Sequence, residues 1–178
     1  MSKKVSIGFI GVGVMGHPIG KHLLTHGYDL LVFDVSDVAV NAMVKEGAKA
    51  AQSTLDVANQ VDIINMSFGF SGVVTSYTAA SIENFLGNTI DALRQQNKAQ
   101  GDRAIFVISA GNAFGKVDES DNEVDASSPE LLPGLPYLFP ELQNHMLAVA
   151  AVDRSGAISS YSNHCGAAAS FCLAAPGG

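Results

Sequence analysis

The sequence predicts an α/β domain: a three-layer sandwich in which a mostly parallel, twisted sheet is covered by helices on both faces. Short apolar runs alternate with helix-forming segments along the chain, which is typical of such sheets. A glycine-rich turn joins the first apolar run to the first helical segment. Hydrophobic residues make up 47% of the 178 residues and charged residues 15%, so one compact core is expected.

The first third of the chain predicts strand–helix repeats. Its predicted strands cover residues 5–10, 30–33, 48–51 and 61–66. The first helix is expected to end at Gly27, which suits a left-handed C-terminal position. Ser36 is a candidate N-cap for a second helix that ends near Gly47, and a short third helix begins at Ser53.

The remainder continues the alternation with less regularity. Apolar spacing predicts a long amphipathic helix over residues 76–100, stopped by Gly101. Strands are predicted at residues 104–109 and 147–152, a solvated loop at 115–136, and a turn-rich segment after them. The larger aromatic side chains of this part are expected in the core: Phe85, Phe106, Tyr137 and Phe139.

The charge balance argues against two classes of partner. Ten Lys and Arg residues against 17 Asp and Glu residues give a formal net charge of −7. Such a chain lacks a basic surface for nucleic acid and is not attracted to an anionic membrane. No apolar stretch approaches the roughly 18 residues of a membrane span, and no targeting signal is recognised. We therefore expect a soluble protein, cytoplasmic on expression, that is a monomer or a weak homodimer.

The glycine-rich turn has the spacing of a dinucleotide-binding loop. In Gly11-Val12-Gly13-Val14-Met15-Gly16, the first glycine permits a tight turn and the second lets a pyrophosphate approach the backbone. The third lets the helix pack closely on the strand. Val12 and Val14 are expected to offer backbone amides to the pyrophosphate. The side chain of Met15 is expected to pack the helix onto the sheet.

An acidic residue follows the loop at the position that this fold uses to bind ribose. Asp34 ends the second predicted strand, 18 residues after Gly16, where a carboxylate accepts hydrogen bonds from ribose hydroxyls. No Arg or Lys follows it closely, which favours NAD over NADP. The pattern predicts a Rossmann-like strand order of 3-2-1-4-5-6, with the cofactor crevice between the first and fourth strands.

Residues 6 to about 65 resemble the cofactor domain of the β-hydroxyacid dehydrogenases. The likeness lies in the segments GFIGVGVMGHPIG, LLTHGYDLLVFD and VKEGAKAAQSTLDVANQVDII. It implies NAD(P)-dependent chemistry on a 3-hydroxy acid. That family continues with a Met-Leu-Pro-like loop, a glycine-rich substrate motif and a helical domain that carries a catalytic lysine, and this sequence continues with none of them.

From about residue 61 onward, the chain resembles the subtilisin-like serine proteases, especially the subtilase domains of bacterial autotransporters. The likeness lies in DIINMSFG, IFVISAGN, LPYLFPEL and SSYSN. It implies that Asn112 is a relic of the oxyanion hole, that Ser67, Phe68 and Gly69 line a substrate cleft, and that Cys165 and Cys172 are bridged as in secreted relatives. The catalytic Asp and His belong to the replaced part, and the segment with the nucleophile is expected beyond Gly178.

Together the two resemblances imply an engineered chimera, a single hybrid domain over residues 1–178. Its dehydrogenase-like half is 1–66 and its subtilase-like half is 67–178, with the seam near 61–67. We expect no intact catalytic machinery and residual, weak NAD binding. Two alternatives stay open at this point: an NAD-dependent oxidoreductase acting on a 3-hydroxy acid, and a residual serine peptidase.

Three further patterns are interpreted as structural. His22 and His26 have the i, i+4 spacing of a metal pair, but no third ligand is evident, so they are expected on a solvent-facing helix surface and no metal site is predicted. The acidic run at 118–125 lacks the spacing of a calcium loop. His164 and Cys165 are adjacent and expected to point apart, which does not make a nucleophile pair.

Overall fold

The structure, a computed structural model, describes residues 5–66, 70–99 and 105–177. The strands are β1 (Ser6–Ile10), β2 (Asp29–Phe33), β3 (Lys49–Ala50), β4 (Ile63–Met66), β5 (Ile105–Ser109), β6 (Met146–Val152) and β7 (Cys172–Pro176). The helices are α1 (Gly16–Thr25), α2 (Asp37–Lys45), α3 (Thr54–Gln60), α4 (Ala79–Ala99) and α5 (Leu131–Leu138). Single 3₁₀ segments cover Val74–Ser76, Pro140–Leu142 and Gly166–Phe171.

The strands form one parallel sheet in the order β3-β2-β1-β4-β5-β6-β7. This confirms the predicted α/β class and the predicted order of the first six strands. The sequence does not predict β7, since it predicts a turn-rich segment after β6. The order reverses direction at β1, which pairs with β2 on one side and with β4 on the other. In a sheet of this kind, the crevice at such a reversal is where ligands bind.

Contacts divide the chain into two compact units, residues 1–66 with 96–106 and residues 67–95 with 107–178. The core of the first unit is built from side chains of β1, β2 and α2 and of the loops that follow β1 and α2. Its buried members are Phe9, Val12, Leu30, Val32, Met43 and Ala48. Ser36 and Ser53 cap α2 and α3 by accepting the backbone N–H groups of Ala39 and Asp56, as expected for serine at a helix start.

The second unit contains a buried helix that the sequence analysis placed in a loop. Residues 131–136 of α5 are all buried, so the predicted solvated loop over 115–136 is wrong in its last part. A Cβ on Gly134 would collide with the side chain of Val74, and that close packing explains why glycine is tolerated inside this helix. The apolar run of α5 is therefore a core element rather than an exposed connection.

The long helix α4 departs from its prediction in its first residue, in its regularity and in the exposure of Phe85. It begins at Ala79 rather than residue 76, and its backbone is non-helical at Leu86. Its predicted stop at Gly101 lies outside the described residues. Phe85, expected in the core, is 69% exposed, because it lies on the solvent side of the helix that buries Ile82 and Ile90.

Of the other aromatic side chains, Phe106 and Phe139 are buried as expected, whereas Tyr137 is 48% exposed. Arg94 lies over the Phe139 ring, 5.4 Å from its centre. The same guanidinium donates to Glu141 at 2.8 Å, which raises the pKa of Arg94.

None of the helices in the described part of the chain is long and apolar enough to cross a membrane.

Candidate functional site

The glycine loop begins directly at the end of β1, where the chain turns sharply. Gly11 has a φ of +90°, a left-handed conformation that L-residues rarely adopt. Its N–H donates to the carbonyl oxygen of Phe33 at 2.9 Å, which ties the start of the loop to the end of β2. The first glycine thus has the turn-forming role that the motif predicts.

The other two glycines meet opposite steric conditions. A Cβ added to Gly16 would collide with the carbonyl oxygen of Gly11, so only glycine lets the helix start this close to the turn. A Cβ added to Gly13 would meet nothing within 4 Å. The loop therefore packs tightly at its end and leaves free space at its middle, where a pyrophosphate would approach the backbone.

Asp34 is fixed beside the loop by two backbone amides. Its Oδ2 accepts the N–H of Val12 at 2.8 Å, and its Oδ1 accepts the N–H of Ser36 at 2.9 Å. The carboxylate is thus preoriented at the end of β2. Because the Val12 amide donates to Asp34, its predicted role as a pyrophosphate donor is not the one seen in this structure.

The remaining loop residues differ from each other in exposure. Val12 is 1% exposed and belongs to the core, whereas Val14 is 93% exposed and Met15 is 74% exposed. The expectation that Met15 packs the helix onto the sheet is therefore wrong, and the small residues Gly16 and Gly20 make the close packing instead. Backbone amides at the start of a helix lack intrahelical acceptors, so this end of α1 favours an anion.

The second candidate region is the loop that follows β5. Gly111 has a φ of +117°, and a Cβ there would lie 2.6–2.8 Å from the side chain of Glu130. Asn112, the predicted oxyanion relic, is exposed. Ser67, Phe68 and Gly69, predicted to line the same cleft, lie outside the described residues.

Glu130 is half-buried beside this loop. Burial raises the pKa of its carboxyl group, while the backbone N–H of Asn112 and the charge of Lys116 act in the opposite direction. Its own N–H donates to the carbonyl oxygen of Ala110 at 2.8 Å. The residue therefore fixes the path of the chain on both sides of Gly111.

A buried asparagine holds the loop from its other side. Asn163 is 0% exposed; its Oδ1 accepts the N–H of Ala113 at 2.8 Å, and its Nδ2 donates to the carbonyl oxygen of Ser128 at 3.0 Å. Its backbone N–H donates to Gly111 at 3.0 Å. Neither Asn163 nor Glu130 was singled out from the sequence, since nothing in a single sequence marks which asparagine will be buried.

The patterns interpreted as structural behave as follows. His22 and His26 are both exposed on α1 and its C-cap. Cys165 and Cys172 form a disulfide, as the second resemblance implied, so Cys165 is no free thiol. In the acidic run, Asp118 accepts the N–H groups of Ser120 and Asn122, which lowers the pKa of its carboxyl group.

The comparison with known families identifies the larger part of the chain. Residues 23–178 match the subtilase family. The chain belongs to the subtilase family. The match begins within α1, whereas the segments that resemble this family in the sequence analysis begin only at about residue 61. The match therefore overlaps the segment that resembles the dehydrogenases.

Two curated relatives show the two likenesses separately. Serotype-specific antigen 1 of Mannheimia haemolytica is 32% identical over 155 residues, which is 84% of this chain and 15% of that protein. Mitochondrial 3-hydroxyisobutyrate dehydrogenase of Bos taurus is 38% identical over 82 residues, which is 46% of this chain and 24% of that protein. The chain spans a quarter or less of the length of these relatives.

Among solved structures, the chain is similar to 3-hydroxyisobutyrate dehydrogenase of Mycobacterium tuberculosis. The sequence identity is 17%, the TM-score is 0.38, and the likeness covers 59% of this chain and 31% of that one.

Proposed function

We propose that the first unit binds NAD at the glycine loop and that the 178-residue chain itself catalyses neither hydride transfer nor peptide hydrolysis. The observation that carries the proposal is the free space at Gly13, between a left-handed Gly11 and a tightly packed Gly16. These three conditions match the three positions of a dinucleotide loop.

The residues of the loop and of β2 would divide the cofactor between them. The amides at the start of α1 would hold the pyrophosphate, and Asp34 would accept from the ribose hydroxyls. Its carboxylate would repel the extra phosphate of NADP, which supports a preference for NAD. Bound NAD supplies a nicotinamide ring that can accept a hydride.

The proposed absence of catalysis is supported by what each resemblance lacks in this sequence. The catalytic lysine and substrate motif of the dehydrogenases do not follow the glycine-loop segment. Asn112 corresponds to an oxyanion donor, but a donor alone cannot run acyl transfer without a nucleophile and a base. We further propose that the chain is an engineered hybrid of the two families, joined near β4.

A thermal melt with and without NAD tests the binding proposal. NAD at 100 times its dissociation constant adds about 2.7 kcal/mol to the free energy of unfolding, so the melting temperature should rise clearly. NADP should produce a smaller rise. No shift at millimolar NAD would overturn the proposal.

Gly13→Val supplies the matched variant. Its side chain would occupy the free space at position 13 without meeting other atoms at Cβ, so we expect an unchanged melt without NAD and a lost shift with NAD. Asp34→Ala should weaken the NAD shift as well.

Catalysis is tested separately. NADH absorbance with 3-hydroxyisobutyrate and NAD, and hydrolysis of a peptide ester, should both stay at the buffer rate. NADH formation above the buffer rate that is lost in Gly13→Val would show that the chain is an oxidoreductase.

A further inference from the structure

Two imidazole rings lie side by side at the C-terminal end of α1. His22 is in the last turn of the helix and His26 is its C-cap residue, so the i, i+4 spacing places both on one face. The ring centres are 4.2 Å apart and the ring planes are inclined by 47°. Both side chains are exposed, and neither takes part in the proposed NAD site.

The hydrogen bond of His26 determines which of its ring nitrogens can bind a ligand. Nδ1 lies 2.9 Å from the carbonyl oxygen of His22. A carbonyl oxygen can only accept, so Nδ1 carries the hydrogen and Nε2 keeps its lone pair. Histidines that bind metals are commonly oriented in this way, by donating the other ring nitrogen to a carbonyl or carboxylate.

We propose that His22 and His26 form a surface site for one divalent transition-metal ion, with Cu²⁺ preferred over Ni²⁺. Metal–nitrogen bonds of about 2.0–2.1 Å at adjacent coordination positions place two imidazole centres about 4.5 Å apart, close to the observed separation. Water would complete the coordination. Two neighbouring nitrogen ligands suit the tetragonal geometry of Cu²⁺ and Ni²⁺.

The surroundings favour a cation at this position. The C-terminal end of a helix carries a partial negative charge. The nearby cation Lys21 is paired with Glu46 at 2.8 Å, which offsets its charge. Among the described residues, no group of three or more His, Cys, Asp or Glu residues could hold a metal ion. The site is therefore expected to differ from a closed structural zinc site, which takes four protein ligands.

The test is a titration of the whole chain with Cu²⁺ and with Ni²⁺ in a non-coordinating buffer, followed by calorimetry and by electron paramagnetic resonance of the Cu²⁺ complex. We expect one ion per chain, tighter binding of Cu²⁺, hyperfine splitting from two nitrogens, and reversal by EDTA. His22→Ala and His26→Ala should each weaken binding about tenfold or more.

Two controls separate this pair from the other histidines. His17→Ala removes a histidine from the same helix and should leave the affinity unchanged. The triple variant His17→Ala, Lys21→His, His22→Ala keeps as many histidines as His17→Ala, moves the pair to i, i+5 without a new i, i+4 pair to position 17, and should bind as weakly as His22→Ala.

The proposal is overturned if no one-to-one complex forms, if only one nitrogen is coupled to Cu²⁺, or if His17→Ala weakens binding as much as His22→Ala. Circular dichroism of each variant checks folding. The nitrogen splitting of the unmodified chain tests the proposal independently of any variant.

Discussion

The loops after β1 and after β5 begin in the same way and are then completed differently. Each turns through a left-handed glycine, Gly11 or Gly111, directly beyond the end of a parallel strand. The first loop has free space around Gly13 and exposes Val14 almost completely. The second has Glu130 packed against its glycine and is bound by the buried Asn163.

This difference indicates what each loop is built to contact. A loop whose backbone is held in place and has free space at its middle can accept a ligand there. Backbone whose polar groups are already satisfied by a buried amide is suited to holding its own chain in place. The loop after β5 is thus held by its own chain, which includes the bond from the Asn112 backbone N–H to Glu130.

The largest expected effect tests the support of the second loop. Asn163→Ala leaves the Ala113 N–H and the Ser128 carbonyl without their side-chain partner in a buried setting. We expect the free energy of unfolding to fall by about 2–4 kcal/mol, measured by urea denaturation. Asn112→Ala, at an exposed position, is the control and should change it by less than about 0.5 kcal/mol. Equal losses would refute the distinction between the two asparagines.

The disulfide gives the next largest effect. Cys165 and Cys172 are seven residues apart, and closing so short a loop stabilises a chain by about 2–2.5 kcal/mol in the loop-entropy description. Replacing both by serine should lower the free energy of unfolding by about that amount. A reducing agent should lower the free energy of unfolding of the unmodified chain by the same amount and leave that of the variant unchanged. A reducing agent that also destabilises the variant would show that its effect does not come from this disulfide.

The first loop is tested by two glycine substitutions of opposite expectation. Gly16→Ala forces a Cβ onto the carbonyl oxygen of Gly11 and should cost about 1–3 kcal/mol of stability. Gly13→Ala enters free space and should stay within about 0.5 kcal/mol. Thermal melts without ligand measure both. A destabilising Gly13→Ala would mean that the middle of the loop is packed, which contradicts a ligand-accepting loop.

The smallest effect concerns Glu130 and pH. Burial raises the pKa of Glu130 above its value in the unfolded chain, so the folded state holds this proton more tightly. Stability is therefore lost as pH rises through the unfolded value and up to the folded pKa. Glu130→Gln removes that loss, and its melting temperature relative to the unmodified chain should be slightly higher at pH 7 than at pH 4.

Glu119→Gln, at an exposed position in the acidic run, matches the change in charge and serves as the control for Glu130→Gln. The same difference between the two pH values in both variants would assign the effect to net charge rather than to burial.

The sequence by itself determined the features that depend on local chemistry. Alternating apolar runs specify strands and helices, so β1, α1, β2 and α2 lie close to their predicted positions, and Ser36 and Ser53 cap helices as serine does at helix starts. Gly11, Gly13 and Gly16 were assigned by spacing alone. Asp34 was found because the end of the second strand is fixed once the first strand–helix unit is recognised.

Only the tertiary structure decided which side chains are buried and what they contact. The sequence predicts a loop where α5 lies, because prolines and glycine weaken the helical pattern, and the burial of α5 comes from contacts such as Gly134 against Val74. Met15 and Phe85 are apolar yet exposed, since a side chain's environment depends on its neighbours in space. For the same reason, the roles of Asn163 and Glu130 became visible only when segments distant in the chain were brought together.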